Sequence, residues 1–297
     1  MIDSGRSGGF DRRRLRFSFG RAASGYAEVA VLQREIESRL LEQLEGLSIT
    51  PPARVLDVGS GPGRASAVIK GRWPKAEVIA LDIALPMLRQ VRKNTRWWRP
   101  IQRVCAEAAH LPLADASVDV IFSNLCLQWV PDLPAALAEF RRVLRVDGLL
   151  LFSSFGPDTL IELREAYLQA GEQQPPLSPF AAIQQVGDAL IAAGFRNPVL
   201  DRDTFTLTYA EVMSLLRELR AIGAGDARVQ RPRGLGGKSR QSRMIAAYES
   251  LRREGRLPSS WEVITAMAWS PIPGTPRREG DGEIASFPAD RIPRRTR

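Results

Sequence analysis

Apolar residues recur along the chain with two periods, and these predict an alternation of helices and strands. From Tyr26 to Leu47 they follow helical spacing with charged residues between them, which predicts an amphipathic helix. Short apolar runs and helical patterns then alternate. We predict strands over 54–58, 77–81, 101–105, 118–123 and 149–155, with helices over 64–73, 85–93 and 133–144. Strands separated by helices indicate an α/β fold, with a parallel sheet and helices on both faces.

Beyond Phe155 the pattern is less regular. We predict helices over 158–169, 183–193 and 212–222, and strands around 205–209 and over 261–269. Asp158 is the expected N-cap of the first of these helices, and Gly194 ends the second. The basic, glycine-rich stretch 223–243 is interpreted as a mobile loop. The Pro-, Gly- and Arg-rich segment after Pro271 is interpreted as a disordered tail.

Composition narrows the possible partners and compartments. A chain of 297 residues, 44% of them apolar, can bury one large core. Its net charge of +9 favours acidic partners such as nucleic acid, an anionic membrane surface or an acidic carrier protein, and charge alone does not choose among them. The two cysteines, Cys105 and Cys126, lack the spacing of a disulfide framework or a metal site, which is typical of a cytoplasmic protein. No apolar run is long enough to span a membrane.

A glycine-rich turn follows the first predicted strand, in the run Asp57-Val58-Gly59-Ser60-Gly61-Pro62-Gly63. Its glycines let the backbone approach a ligand closely, and the helix that follows presents unpaired N–H groups. A dinucleotide-binding turn has the spacing G-x-G-x-x-G, whereas this one reads G-x-G-x-G with an aspartate two residues ahead. This spacing favours S-adenosylmethionine over a nicotinamide cofactor.

Asp82 ends the second predicted strand, where a carboxylate can accept hydrogen bonds from both hydroxyls of a ribose. Taken alone, the glycine run could be a tight turn and Asp82 a helix cap. Their joint occurrence, in a strand-turn-helix context, is what favours a nucleoside-containing cofactor.

From Ala53 to Phe155 these motifs resemble the Rossmann-like class I methyltransferases. The resemblance implies that the turn holds the methionine part of S-adenosylmethionine, that Asp82 holds the ribose, and that Glu107 meets the adenine amino group. The family usually has Asp at the position of Glu107. The implied cofactor-binding residues are Arg21, Asp57, Gly59, Gly61, Gly63, Asp82, Ile83, Met87, Glu107, Ala108 and Ser123.

Four further motifs extend the resemblance. They are Phe19-Gly20-Arg21-Ala22-Ala23 with Tyr26, the run from Ser123 to Trp129, the run from Phe155 to Leu160, and Glu162-Leu163-Arg164. These resemble the malonyl-acyl-carrier-protein O-methyltransferases of early biotin synthesis. The resemblance implies methyl transfer to the free carboxylate of a malonyl thioester, carried by acyl-carrier protein or coenzyme A. A sister group, the assembly factors of respiratory complex I that act on a protein arginine, is similar in the same places and stays open as an alternative.

The chain offers few groups that could act as a general base. Its one histidine, His110, is interpreted as a surface or loop residue. A malonyl carboxylate is already ionised at neutral pH and needs no base, so the sequence favours such an acceptor. We assign no catalytic residue and expect Tyr26, Gln128 and Trp129 to position the acceptor, with an arginine such as Arg21 as the alternative.

Basic segments over 12–16, 217–243 and 252–256 either dock an acidic carrier protein or form a solvated face. Nucleic acid is a weaker interpretation, because no aromatic residues are interleaved with the basic ones. The predicted organisation has three parts. They are an N-terminal arm and helix over 1–50 that covers the cofactor site, a methyltransferase domain over 51–270 with a helical substrate insertion at about 157–255, and the tail 271–297.

Overall fold

The computed structural model describes residues 11–47, 49–95, 98–173, 175–223, 237–272, 277–279 and 282–284. The first elements are α1 (Arg12–Ala22), α2 (Tyr26–Val29), α3 (Val31–Gly46), β1 (Arg54–Val58), α4 (Arg64–Arg72), β2 (Glu77–Asp82), α5 (Leu85–Val91), β3 (Gln102–Cys105), β4 (Val118–Ser123), α6 (Leu133–Val143) and β5 (Leu144–Phe155). They are followed by α7 (Ile161–Gln169), α8 (Ile183–Ala192), β6 (Arg196–Tyr209), α9 (Val212–Ala221), α10 (Gly237–Glu249), β7 (Leu257–Trp269), β8 (Arg277–Glu279) and β9 (Gly282–Ile284). Among the described residues, no helix combines the length and apolar character needed to cross a membrane.

Seven strands form one sheet, in the order β3-β2-β1-β4-β5-β7-β6. The first five strands are parallel, and β7 runs antiparallel to both of its neighbours. From β1 the chain winds outward first through β2 and β3, and then on the other side through β4 and β5. The direction of winding therefore reverses between β1 and β4. In open α/β sheets, ligands bind at such a reversal, beyond the carboxyl ends of the strands.

Helices cover both faces of the sheet, as the sequence predicts. Neighbouring residues of a strand point to opposite faces. Leu56 of β1 accordingly packs in one cluster with Phe140 of α6, whereas Val55 packs in another with Leu40 of α3 and Ile69 of α4. The two clusters anchor the carboxyl end of β1 between fixed helices, and this is where the glycine turn begins.

A third apolar cluster joins α7, α9 and α10 to the amino-terminal half of β7, through residues such as Leu163, Leu215, Met244 and Trp261. The segment 157–255, predicted to be one helical insertion, therefore belongs to two different layers of the fold. Helices α7, α9 and α10 form this separate layer, whereas α8 packs on the sheet through Val186 and Leu190, and β6 is itself the edge strand.

Two predictions of local structure are wrong. The helix predicted over 26–47 is interrupted at Ala30, whose φ of −80° and ψ of 54° lie outside the helical range, and no proline or glycine marks the break. Asp158 does not cap α7, which begins at Ile161. Its backbone N–H instead donates to Glu262 Oε2 at 2.7 Å, a partner 104 residues away that no local pattern reveals.

Other differences concern the basic and terminal segments. Helix α1 lies where no helix was predicted, and its Asp11 N-cap accepts hydrogen bonds from the N–H groups of Arg13 and Arg14. The predicted loop 223–243 is helical from Gly237 onward, and 224–236 lie outside the described residues. In the predicted disordered tail, β8 and β9 pair as a short hairpin. The remainder after Ile272 lies outside the described residues.

Candidate active site

A cavity of about 330 Å³ opens at the carboxyl ends of β1, β2 and β4. Its wall includes Gly59 and Gly61 from the turn after β1, Asp82 at the end of β2, and Asn124 directly after β4. A second cavity of about 330 Å³ shares both glycines, Asn124 and Tyr26 with the first. The glycine turn is thus a common wall of two neighbouring cavities. We call them the first and the second cavity.

The three glycines of the turn have positive φ angles, of +71° at Gly59, +53° at Gly61 and +81° at Gly63, which side-chain-bearing residues rarely adopt. A Cβ on Gly59 would lie 2.5 Å from Cys126 Sγ, and one on Gly63 would lie 2.8 Å from a methyl carbon of Val91. A Cβ on Gly61 would meet nothing within 4 Å. Gly59 and Gly63 are therefore required by packing, while the space beside Gly61 is open.

Asp82 is only 8% exposed, and two backbone groups hold its carboxylate in place. Oδ2 accepts from the N–H of Gly61 at 3.0 Å, and Oδ1 accepts from the N–H of Ala84 at 2.7 Å. Burial raises the pKa of Asp82 to about 6, although these two hydrogen bonds act to lower it. A carboxylate has about four lone-pair sites, so both oxygens can accept further donors from a ligand in the first cavity.

Asp57 lies beneath the turn and is 2% exposed. Its Oδ2 accepts from the Ser66 hydroxyl at 2.5 Å, which ties β1 to the first turns of α4. Burial raises the pKa of Asp57 to about 7, although the hydrogen bond from Ser66 acts to lower it. The nearby carboxyl groups of Glu37 and Asp82 add to the rise. The turn thus rests on an acid that is partly protonated near neutral pH.

The Asp57 carboxyl should make the stability of the protein depend on pH. Because its pKa is higher in the folded than in the unfolded chain, its stabilising contribution is complete below about pH 4 and is lost as the pH rises through about 7. Between pH 5 and pH 7 this reduces the free energy of unfolding by about 2 kcal/mol. Urea unfolding at several pH values measures this decline in the free energy of unfolding. We expect Asp57→Asn to remove the part that comes from Asp57, whereas Glu28→Gln, at an exposed carboxyl, should leave the decline unchanged. An equally steep decline in Asp57→Asn would contradict the assignment.

The second cavity is lined by polar groups from α3 and the turn. Glu37 forms an ion pair with Arg64, which also donates to Ser38 Oγ at 2.9 Å. Gln33 Oε1 and Ser60 Oγ are buried there and have no hydrogen-bond partner among the described residues. Buried polar atoms of this kind are unfavourable unless a ligand or water satisfies them. Together with Glu37, they suit a ligand that carries both an ammonium and a carboxylate group.

Glu107 lies on the first cavity and binds two arginines of α1. Arg12 Nη1 is 2.9 Å from Glu107 Oε2, and Arg16 Nη2 is 3.2 Å from Oε1. The side chain of His110 is 73% exposed, in keeping with its interpretation as a surface or loop residue. Helix α1 therefore reaches the wall of the first cavity through Glu107.

The structure brings most of the predicted cofactor residues together, but not all. Those that line one of the two cavities are Asp57, Gly59, Gly61, Asp82, Ile83, Met87, Glu107 and Ala108. Gly63, at the end of the turn, lines neither cavity, and a Cβ there would overlap Val91. Arg21 and Ser123 line neither cavity. Arg21 is exposed and lies 5.7 Å from the ring centre of Phe17, because the opposite face of α1 turns towards the cavity. Ser123 is fully buried and donates to the carbonyl oxygen of Val58 at 2.9 Å, which ties β4 to β1.

The predicted positioning residues are divided between cavities. Tyr26 lines both the first and the second cavity. Trp129 lines the first, where its ring meets the Phe19 ring edge to face at 5.7 Å between centres. Gln128 lines neither of these two cavities and faces a third one. Phe155 lines neither cavity and packs against Phe180 and Trp261.

Sequence reasoning missed Asn124. Its Nδ2 donates to the carbonyl oxygen of Gln33 at 3.1 Å, and its Oδ1 accepts from Ser153 Oγ at 2.7 Å. It therefore joins α3, β4 and β5 at the point where the first and second cavities meet. The one available signal was its position directly after a strand, at the carboxyl edge of a parallel sheet.

Comparison with known proteins places this chain among methyltransferases. Residues 56–152 match the family described as Methyltransferase domain. A SAM-dependent methyltransferase from Thermotoga maritima superposes with a TM-score of 0.51 over 86% of this chain and 99% of its own, at 17% identity. The YcgJ protein of Bacillus subtilis gives a TM-score of 0.54 over 78% and 98%, at 16% identity. The protein is a methyltransferase with the class I Rossmann-like fold.

The sequence relatives are more specific. The chain is 55% identical to the malonyl-[acyl-carrier protein] O-methyltransferase of Xylella fastidiosa (strain M23), over 98% of this chain and 99% of the relative. It is 44% identical to the protein of that name from Gallionella capsiferriformans (strain ES-2), over 89% and 92%. The chain belongs to the malonyl-[acyl-carrier protein] O-methyltransferase family. These relatives do not favour the alternative role as an assembly factor of respiratory complex I.

Proposed function

We propose that the protein transfers a methyl group from S-adenosylmethionine to the free carboxylate of a malonyl thioester, carried by acyl-carrier protein or coenzyme A. The product is the methyl ester that begins pimeloyl-chain synthesis for biotin. The observation that supports this most is the first cavity, where Asp82 faces the space kept open by Gly61. The names of the relatives support the malonyl acceptor.

The residues of the two cavities fit the parts of S-adenosylmethionine. Asp82 has lone pairs for both ribose hydroxyls, and Glu107 can accept from the adenine amino group. In the second cavity, Glu37 can meet the methionine ammonium group, and Gln33 Oε1 can accept from it. The space beside Gly61 connects the two ends. The cofactor would therefore cross the glycine turn from one cavity to the other.

The cofactor, when bound, would supply a sulfonium methyl group for transfer to a carboxylate oxygen, with the electron pair of the broken sulfur–methyl bond left on sulfur. No proton moves, so the task of the protein is to hold the oxygen at about 3–3.5 Å and in line with that bond. Burial raises the pKa of Tyr26, so its hydroxyl stays protonated at neutral pH and can donate to the carboxylate. Burial also raises the pKa of Cys126 to about 12, which keeps this thiol from competing as a nucleophile.

Helix α1 is proposed to cover the cofactor and to meet the carrier. Leu15 and Phe19 line the first cavity, and Arg12 and Arg16 hold Glu107 on its wall. The exposed Arg13 and Arg14 stand on the same helix, beside the cavity. An acidic carrier protein would be attracted to the positive charge of this helix. That attraction would raise the association rate and orient docking more than it would increase the affinity.

The reaction can be tested with labelled S-adenosylmethionine and malonyl-acyl-carrier protein. We expect label in an ester, and a transfer rate that is flat between pH 7.5 and pH 9, because the acceptor is fully ionised there and no base is involved. Acetyl-acyl-carrier protein, which lacks the free carboxylate, is the matched control and should take no label. Absence of transfer to both malonyl-acyl-carrier protein and malonyl-coenzyme A would refute the proposal, and a rate that rises with pH in this range would refute the base-free mechanism.

A further inference from the structure

A third cavity, of about 240 Å³, lies beside the first at the carboxyl ends of β4 and β5. One wall comes from the segment after β4, with Val130 and Pro131, and another from β5, with Phe152 and Ser154. Phe180, in the segment before α8, is on a further side. Val130 and Pro131 also line the first cavity, so the two cavities meet at one short segment of chain.

Gln128, one of the residues that line this mostly apolar cavity, carries an unsatisfied hydrogen-bond acceptor. The residue is 8% exposed, and its Nε2 donates to the carbonyl oxygen of Leu125 at 2.8 Å. Its Oε1 is buried and finds no hydrogen-bond partner among the described residues. The amide orientation follows from chemistry, because a carbonyl oxygen only accepts and must face the NH2 group. The free atom is therefore the oxygen.

This free oxygen defines what can bind next to it. A buried acceptor needs a donor, and an ionised carboxylate has none. Oε1 of Gln128 therefore cannot orient the acceptor carboxylate, the role that the sequence predicted for this residue. A neutral chain that carries an N–H group and is otherwise apolar fits both Gln128 and the walls formed by Val130, Pro131 and Phe180.

We infer that the third cavity holds the arm of the thioester substrate, with the amide N–H nearest the sulfur donating to Gln128 Oε1. This rests on the proposed function. Acyl-carrier protein and coenzyme A present the same arm, in which two methylenes separate the thioester sulfur from a secondary amide. With the arm held here, the malonyl end extends past Val130 and Pro131 into the first cavity, where the methyl donor is proposed to lie.

The inference can be tested with two small substrates. One is the malonyl thioester of N-acetylcysteamine, and the other is its ketone analogue, in which a methylene replaces the N–H. We expect the wild-type protein to show a kcat/KM about tenfold higher for the amide, as one buried hydrogen bond provides. Gln128→Met keeps similar volume but lacks the acceptor, and should bring this ratio close to one. A wild-type ratio near one, or a ratio that Gln128→Met leaves unchanged, would overturn the inference.

Ala181→Leu serves as a second variant, because Ala181 also lines the cavity and the larger side chain reduces its volume while Gln128 is retained. It should raise the KM for both small thioesters and leave their ratio and the Kd for S-adenosylmethionine unchanged. If Gln128→Met fails to fold, the wild-type ratio and this variant decide the question. An unchanged KM in Ala181→Leu would count against the cavity as the site of the arm.

The two carriers are separated by assaying Gln128→Met with each. A KM raised about tenfold for malonyl-acyl-carrier protein is expected. A rise with malonyl-coenzyme A alone would assign the cavity to the coenzyme instead, and no rise with either would overturn the inference. Failure of the proposed function looks different. In that case the wild-type protein would methylate none of the malonyl thioesters, whereas failure of the arm site alone leaves it active without preference for the amide.

Discussion

Gly59→Ala is expected to abolish S-adenosylmethionine binding and to lower the free energy of unfolding by about 3 kcal/mol. The added methyl would lie 2.5 Å from both Cβ and Sγ of Cys126, at a residue whose φ is +71°. Relief of this overlap requires the turn or Cys126, which both line the first cavity, to shift. Overpacking of this kind typically costs 1–3 kcal/mol on top of about 1 for the backbone. Calorimetric titration and urea unfolding measure the two effects.

Two further variants separate the overlap from the backbone strain. Gly171 also has a positive φ, of +85°, but a Cβ there would meet nothing within 4 Å. Gly171→Ala should therefore lower the free energy of unfolding by only about 1 kcal/mol and bind the cofactor normally. Cys126→Gly, which removes both overlapping atoms, should restore part of the binding when added to Gly59→Ala. Normal binding by Gly59→Ala alone would show that the turn is not part of the site.

Asp82→Ala is the second large effect, with an expected rise of at least 100-fold in the Kd for S-adenosylmethionine. Two ribose hydrogen bonds to a charged acceptor are lost, at about 1.5–3 kcal/mol each, and the N–H groups of Gly61 and Ala84 lose their partner. Because the pKa of Asp82 is about 6 and ribose hydroxyls favour the ionised form, wild-type affinity should also fall as the pH drops below 6.

Asp119 offers a matched control for Asp82. It also accepts two backbone hydrogen bonds, from the N–H groups of Ala53 at 2.8 Å and Arg54 at 2.7 Å, but at the opposite end of β1 from the cavities. Asp119→Ala should lower stability and leave the Kd nearly unchanged. If both variants weaken binding equally, the effect of Asp82→Ala is a general loss of stability and the ribose assignment is wrong.

The parts of the site that could be predicted from sequence are those that are contiguous in the chain. The turn from Gly59 to Gly63 and the strand end at Asp82 each carry their signal within a few residues. Asn124, by contrast, reaches the carbonyl oxygen of Gln33 across 91 residues, and α1 reaches Glu107 from Arg16 across the same separation. Contacts at such distances depend on how elements pack, which periodicity does not encode.

The run from Phe155 to Leu160 is a second example, in which the motif is visible in the sequence but its structural role is not. It was recognised as a motif of the family, yet in the structure it binds β7. The N–H of Gly156 donates to the carbonyl oxygen of Glu262 at 3.0 Å, and the Thr159 hydroxyl donates to the same oxygen at 2.9 Å. A recognisable motif can therefore mark a junction between structural elements instead of a place where substrate binds.

The ion pairs of α1 bear on how fast the cofactor can be exchanged. Arg12 and Arg16 are more than half exposed, and exposed pairs of this kind contribute about 1 kcal/mol or less each. These two pairs join α1 to the wall of the first cavity, and salt weakens them further. If the demethylated product leaves past α1, its release should therefore become faster as the ionic strength rises.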